Sequence, residues 1–378
     1  MDTSSRKANN IRLYVLSSLY PNTIGGMEIF NYYFLSHQLI HAQATIYYST
    51  PDNAVLNDNG HLIPLKKIWP VRLFYPIQFF FLIWKLRKKI DLTYLSHAKQ
   101  SWIILFSQSL ILRLFKIPYV ITIHSGKAPD WKFKYPFKSF FANADYVIGV
   151  SEPICAAFKR VIPNQAFHYI PPLIPFETAS KSKEELRKEL GYSDSDNILL
   201  YVGSIKGMKN PDKIVRAFEK LGEDFLQKWN IKMIFAGNGE MQEQLKKMIS
   251  EYHLDKRIEM LGWVSRENIP DYYRLADAYI ISSDYEGTSL SLLEAMFNKL
   301  PIIGSNAPGI NKMLKHEQNA FLYSTHNTDE LAATIKLIFL DKAISAKLAE
   351  NALIDFHAKY SFESIMQQYE EVFSSFPV

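Results

Sequence analysis

Eleven short runs of aliphatic, β-branched and aromatic residues, each followed by a longer helix-like segment, constrain the fold of this 378-residue chain more than any single motif. In the first half the runs are IRLYVLSSL (11–19), ATIYYS (44–49), DLTYLSH (91–97), YVITIHSG (119–126), DYVIGVS (145–151) and HYIPPLI (168–174). In the second half they are NILLYVGSI (197–205), IKMIFAGNG (231–239), RIEMLGWV (257–264), AYIISSD (278–284) and LPIIGSN (300–306). Strands that are apolar on both faces must be covered on both faces, and helices between them make the sheet parallel. The expected fold class is therefore α/β, with two doubly wound parallel-sheet domains facing one another across a cleft. We place them at 1–172 and 173–355, joined near IPPLIPFETASKSKEE (170–185), with a final helical segment at 356–378 crossing back to the first. In open parallel sheets ligands bind beyond the carboxyl ends of the strands, so the residues that end these runs are the functional candidates.

A length of 378 residues suits two domains, and 48% hydrophobic residues can build two cores. The single cysteine, Cys155, rules out an internal disulfide and suits a reducing compartment. Residues 11–20 follow Arg6 and Lys7 as a signal peptide would, but no small-residue cleavage site follows, and a first buried strand is expected. No segment reaches the roughly 20 apolar residues that span a bilayer. The two nearest, 73–84 and 102–115, are broken by polar residues and are expected to be core-facing or interfacial helices. Charge is uneven. Residues 1–170 carry 19 Lys and Arg against 8 Asp and Glu, and the remainder 24 against 30. The basic half also holds KLRKK (85–89) and WKFKYPFKSFF (131–141), a pairing of cations and rings that fits an anionic membrane surface or an ordinary solvated helix face. No nucleic-acid motif is present.

The stretch SSDYEGTSLSLLEAM (282–296) carries the most chemistry. AYIISSD reads as a strand, EGTS as a turn and LSLLEAMFNKL as a helix, so backbone N–H groups at the helix start face the strand ends and form an anion or sugar-hydroxyl site. Glu286 precedes the turn, and Glu294 lies little more than one turn inside the helix. An ionised carboxylate there can accept hydrogen bonds from two neighbouring sugar hydroxyls. On spacing alone a helix-start charge and a solvated glutamate are the simpler reading. Competing chemistries lack their residues: there is no Cys/His cluster with zinc spacing, no G-x-S-x-G elbow and no Walker-type loop.

The context of the two glutamates is more specific. YVGSIKGMKNPDKIVRAF, IFAGNGEMQEQLKKMI, IEMLGWVSRENIPDYYRLADAYIISSDYEGTSLSLLEAM, LPIIGSNAPGI and KYSFESIMQQYEEVF stand in an order and spacing that resemble the retaining glycosyltransferases of the GT-B fold, family 4. The resemblance covers most of 196–375. Before 175 it rests on PNTIGGMEIF, PYVITIHSG, ADYVIGVSE and IPP. It implies a nucleotide-diphosphate sugar, UDP- or GDP-linked, as donor, and no metal or other cofactor. It implies that Glu294 holds the ribose, that Glu286 lies beside the donor sugar, and that the amides of Gly287, Thr288, Ser289 and Leu290 touch sugar or phosphate. Lys209 would hold the diphosphate. Ser204 stands where the family usually has arginine, with Lys206 near enough to compensate, although an ammonium does not copy a bidentate guanidinium. The family often has Phe-Gly or a similar pair at 288 and 289, and Thr288 and Ser289 depart from it. Gly25 and Gly26 match the glycine loop near the diphosphate and acceptor. His124 would hydrogen-bond the transferred sugar, with His97 a weaker candidate. Val264, beside Trp263, matches the loop whose backbone reads the base.

The resemblance thus implies a retaining hexosyltransferase with His124, Glu286 and Lys209 at the reaction centre. On the basic, aromatic first half alone, its acceptor is expected to be a glycan or lipid-linked, in surface polysaccharide or lipopolysaccharide synthesis, and its place the cytoplasm, at the inner face of the membrane. Three alternatives stay open: an isomerase or phosphorylase on the same plan, a non-catalytic nucleotide-sugar-binding protein, and a membrane-surface adaptor.

Overall fold

The structure, a computed structural model, describes residues 12–16, 33, 45–49, 61–62, 71–97, 102–124, 134–172 and 176–376. Gly25 and Gly26 lie outside them, as do the side chains of His97 and of residues 131–137. The chain divides into two compact units, one of Met1–Pro175 with Phe362–Val378 and one of Phe176–Ser361.

The first unit contains β1 (Arg12–Leu16), β2 (Thr45–Ser49), β3 (His61–Leu62), α1 (Val71–Leu86), β4 (Leu92–His97), α2 (Trp102–Leu114), β5 (Tyr119–Ile123), α3 (Lys134–Ala142), β6 (Tyr146–Gly149), α4 (Glu152–Val161) and β7 (Phe167–Tyr169). All seven strands are parallel, in the order β3-β2-β1-β4-β5-β6-β7. Successive strand residues point to opposite faces, and both faces here are covered. Tyr119, Ile121 and Ile123 join Phe79, Ile83, Leu112, Phe140 and Phe141 of the helices on one side. Val120, Tyr94, Val15 and Ile148 join Ile365, Met366, Tyr369 and Phe373 on the other. Full burial of each such side chain stabilises by roughly 1.5–3 kcal/mol before chain entropy is counted.

The second unit contains α5 (Lys183–Leu190), β8 (Asn197–Val202), a 3-10 turn (Gly207–Lys209), α6 (Pro211–Leu221), α7 (Glu223–Lys228), β9 (Ile231–Ala236), α8 (Gln242–Glu251), β10 (Ile258–Gly262), α9 (Ile269–Leu275), β11 (Ala278–Ile281), α10 (Leu290–Phe297), β12 (Ile302–Ser305), α11 (Ile310–Met313), β13 (Phe321–Tyr323), α12 (Thr328–Leu340) and α13 (Lys342–Lys359). Its six parallel strands run β10-β9-β8-β11-β12-β13. The unit opens on a capping box, in which the Ser182 hydroxyl accepts from the Glu185 N–H and the Glu185 carboxylate accepts from the Ser182 N–H. Leu199 and Tyr201 face one core layer, and Ile198 and Leu200 the other.

The last helix, α14 (Phe362–Ser374), belongs to the first unit. Its Ile365, Tyr369, Val372 and Phe373 recur at helical spacing and pack on the first sheet. The boundary expected after 355 falls inside α13, where Ala352 and Phe356 are buried in the second unit's core, and the division lies after Ser361. No helix among the described residues is long and apolar enough to cross a membrane.

Candidate active site

The second sheet reverses its strand order between β8 and β11: β9 and β10 extend one way from β8, while β12 and β13 extend the other from β11. The loops that leave such a pair diverge to opposite faces, which opens a crevice at the strand ends. The loop after β8 carries Ser204, Lys206 and Lys209, and the loop after β11 carries Glu286 to Ser289.

The two loops are tied together chiefly by backbone and side-chain amide groups. Asn210 is buried and sits in the left-handed region at φ 49°, where a short polar side chain is tolerated. Its amide donates to the Ser282 carbonyl at 3.0 Å and to the Asp284 carboxylate at 2.6 Å. In return the Ser282 hydroxyl donates to the Lys209 carbonyl at 2.6 Å, and the Asp284 N–H to the Met208 carbonyl at 3.0 Å. With its own main chain fixed in this way, Lys209 extends its ammonium to the Glu286 carboxylate at 2.5 Å. The Ser283 hydroxyl donates to the same carboxylate oxygen at 2.6 Å, leaving the second oxygen for another donor. Only 10% of the Glu286 side chain and 23% of the Lys209 side chain are exposed, so the pair is partly desolvated.

The loop after β12 supports Glu286 from behind. The Glu286 N–H donates to the Pro308 carbonyl at 3.1 Å, and the Ser305 hydroxyl to the Ser283 carbonyl at 2.6 Å. Gly309, at φ 92°, lets the chain pass so close that a Cβ there would lie 2.0 Å from the Glu286 carbonyl oxygen. Gly237 does the same behind the β8 loop, where a Cβ would meet the Gly203 carbonyl oxygen at 1.8 Å.

Ser289 is the N-cap of α10, yet its side chain makes no capping bond. Its hydroxyl lies 3.2 Å from that of Ser291, which accepts from the buried Tyr279 hydroxyl at 2.8 Å. The first N–H groups of α10, beginning at Leu290 and adjoining Gly287 and Thr288, are therefore not capped by that hydroxyl and carry the positive end of the helix dipole. Glu294, in the second turn of α10, is half-buried. Burial pushes its carboxyl above the ordinary value of 4.5, while a hydrogen bond with Tyr273 and the positive charge of Arg266 pull the other way.

The structure thus brings Lys209 and Glu286 into direct contact and sets Glu294 on the helix that follows the same turn. Lys206 is exposed at the start of the 3-10 turn. Ser204 accepts a hydrogen bond at its carbonyl from the Tyr201 hydroxyl at 3.0 Å. Val264 follows β10 half-buried, and the neighbouring Trp263 is 72% exposed. His124 follows β5 in the first unit, half-buried. The braces Asn210, Ser283, Asp284 and Gly309 were not foreseen in the sequence. The signal that could have found Asn210 is its place immediately before Pro211, where a helix needs an N-cap and its first-turn proline. A hollow of about 390 Å³ lined by Tyr192, Lys232 and Glu259 opens at the opposite, amino-terminal ends of β9 and β10, with a Tyr192–Glu259 hydrogen bond of 2.7 Å in its wall.

Two family models match, Glycosyltransferase Family 4 over residues 24–177 and Glycosyl transferases group 1 over residues 182–354. The chain belongs to the group 1, family 4 glycosyltransferases. Among its relatives is the Escherichia coli UDP-Gal:alpha-D-GlcNAc-diphosphoundecaprenol alpha-1,3-galactosyltransferase, 27% identical over 290 residues, 71% of this chain and 72% of that protein. An uncharacterized glycosyltransferase of Methanocaldococcus jannaschii, MJ1607, is 26% identical over 291 residues, 72% of this chain and 73% of that protein. Among solved structures, Anabaena Alr3699/HepE in complex with UDP superposes with a TM-score of 0.73 at 18% identity, covering 97% of this glycosyltransferase and 100% of that chain. The two parallel-sheet units are thus those of a GT-B glycosyltransferase. The group 1 match spans every residue of the site from Ser204 to Glu294.

Proposed function

We propose that this glycosyltransferase moves a hexose-type sugar, with retention of anomeric configuration and without a metal ion, from a UDP- or GDP-linked donor to a glycan or lipid-linked acceptor in surface polysaccharide or lipopolysaccharide synthesis. The observation that carries the reading is the Lys209–Glu286 pair at the point where the second sheet reverses, beside the start of α10. The UDP bound by Alr3699/HepE supports a uridine donor, and the diphosphoundecaprenol acceptor of the E. coli relative supports a lipid-linked one at the inner face of the cytoplasmic membrane.

In this reading Glu294 accepts hydrogen bonds from the ribose hydroxyls. The α10 amides and Lys209, with Lys206, face the diphosphate, and the loop at Val264 meets the base. Breaking the anomeric C–O bond builds charge on the departing diphosphate, and cations fixed in a desolvated setting stabilise that charge without reorganising. Glu286, held by Ser283 and Lys209, keeps one oxygen to orient the sugar. The departing phosphate oxygen takes the acceptor's proton on the front face, so no protein carboxylate forms a covalent intermediate.

The test is incubation with UDP- and GDP-sugars and a panel of glycan and polyprenyl-diphosphate acceptors, followed by NMR of the new anomeric centre. Release of free nucleoside diphosphate with a retained configuration, unaffected by chelator, is expected. An inverted product, or a rate abolished by chelation, defeats the proposal. Ser204 at the usual arginine position favours one competing reading, a nucleotide-sugar-binding protein without turnover. Donor binding with no transfer to any acceptor would support that reading.

A further inference from the structure

Helices α1 and α2 turn an apolar face to solvent that the first unit's core does not use. In α1, Phe79, Leu82, Ile83 and Leu86 are buried against the sheet, while Ile77, Phe81 and Trp84 recur at steps of four and three on the outside. In α2, Ile111 and Leu112 are buried and Leu110 and Leu114 face out. These five outward residues are 50–64% exposed. The helices lie side by side and run the same way. The Gln108 amide donates to the Tyr75 hydroxyl at 2.8 Å near one end, and the Phe80 and Phe115 rings pack 5.4 Å apart near the other. The two outward stripes therefore border one another in a single patch.

The charge at the patch has one sign. Lys85, Arg87, Lys88 and Lys89 end α1, Arg113 and Lys116 end α2, and all six are exposed. No Asp or Glu occurs in 71–90 or 102–118. The adjacent acid, Asp91, is paired with Arg12 at 2.5 Å. The Arg87 guanidinium lies over the Trp84 ring, 4.8 Å from its centroid, so the cation and the indole present themselves together.

We propose that this face of α1 and α2 docks on an anionic phospholipid surface, with Ile77, Phe81, Trp84, Leu110 and Leu114 entering the interfacial region and the six cations meeting the headgroups. Shallow burial of an apolar helix face combined with attraction of Lys and Arg to anionic lipid is how interfacial helices bind, and an indole suits the headgroup level. A second copy fits the same face poorly. A two-fold contact would gather twelve cations, and no acid from these helices, into one interface. The proposal stands apart from the donor-site reading, because every residue it uses lies in the first unit.

The test is flotation of the full chain with phosphatidylcholine vesicles, with and without phosphatidylglycerol, at low and high salt. Binding to the anionic vesicles at low salt, weakened by salt, is expected. Phe81→Ser with Trp84→Ser, and separately Lys88→Glu with Lys89→Glu, should each weaken it by roughly tenfold or more. These side chains are exposed, so the unfolding midpoint should stay within a degree or two of the parent, a control that separates lost docking from lost fold. Absence of anionic-vesicle binding overturns the proposal, as does binding insensitive to both variants. A dimer in light scattering that Phe81→Ser with Trp84→Ser disperses, without vesicle binding, assigns the face to a second copy instead.

Discussion

Replacing Lys209 with methionine keeps the length of the side chain and removes its charge, which separates two roles of the ammonium. The first role is structural. Glu286 is 10% exposed and Lys209 23% exposed, so the pair lies between a surface contact and a buried one. Breaking a fully buried pair costs roughly 3–5 kcal/mol and an exposed one about 0–1 kcal/mol. Glu286 keeps the Ser283 hydroxyl at 2.6 Å, and part of the Lys209 charge is screened by solvent, so Lys209→Met should cost about 2 kcal/mol. For a unit of this size that lowers the unfolding midpoint by about 4–8 °C. Glu286→Gln should cost less, about 1 kcal/mol, because the lysine left behind reaches water. The double variant should recover about 1–2 kcal/mol relative to the sum of the singles, since both charges then leave together. The second role is chemical, and it should not recover. Loss of a fixed cation at the diphosphate lowers turnover by about 10²–10³-fold, and adding Glu286→Gln restores nothing. Thermal unfolding followed by circular dichroism gives the first quantity and nucleoside-diphosphate release the second. A coupling energy indistinguishable from zero would falsify the desolvated pair. Turnover restored in the double variant would show that Lys209 only neutralises Glu286.

Substitutions at three further positions probe the same site. Glu294→Gln should weaken donor binding by about tenfold or more in calorimetry, because charge-assisted hydrogen bonds to ribose are lost, while stability at neutral pH is kept or raised. Burial raises the folded-state value of this carboxyl above 4.5, so between 4.5 and that value the folded chain binds more protons than the unfolded one. Its contribution to stability therefore falls as pH rises through that window, and donor affinity, which needs the carboxylate, rises. A Glu294→Gln variant that unfolds earlier at pH 7 and binds donor normally would remove the residue from the site. Asn210→Ala should cost about 2–3 kcal/mol in denaturant unfolding, the left-handed backbone accounting for about 1 of them. Asn210→Gly should recover only that backbone part. Gly309→Ala must displace the Glu286 carbonyl and strain a backbone held at φ 92°, so the unfolding midpoint and kcat should both fall, kcat by more than about tenfold.

The sheets were legible because parallel strands buried on both faces leave unbroken apolar runs. Ten of the eleven runs contain a strand and the other, 168–174, overlaps β7 at its first two residues. The two strands not anticipated, His61–Leu62 and Phe321–Tyr323, close one edge of each sheet. An edge strand has one neighbour and two or three paired residues, too few to leave a pattern of its own. The boundary expected after 355 was misplaced for a different reason. Residue 355 lies inside one continuous helix, Lys342–Lys359, and only the burial of Ala352 and Phe356 in the second unit assigns that stretch.

The site was legible as a sequence of strand, turn and helix, but not as a network. Lys209 and Glu286 are 77 residues apart, and what brings them together is the reversal of strand order between β8 and β11, a property of topology that no local window contains. The same reversal explains why the braces were hidden. Asn210 has two partners, Ser282 and Asp284, on a loop more than 70 residues away, and Gly309 matters only because the Glu286 carbonyl passes within a methyl's reach. A loop lysine is ordinarily solvated. Here Asn210, Ser282 and Asp284 fix its backbone, and Ser283 and Glu286 leave its ammonium one place to go. The residues that make Lys209 able to act on a diphosphate are thus the ones whose chemistry, read one at a time along the chain, looked most ordinary.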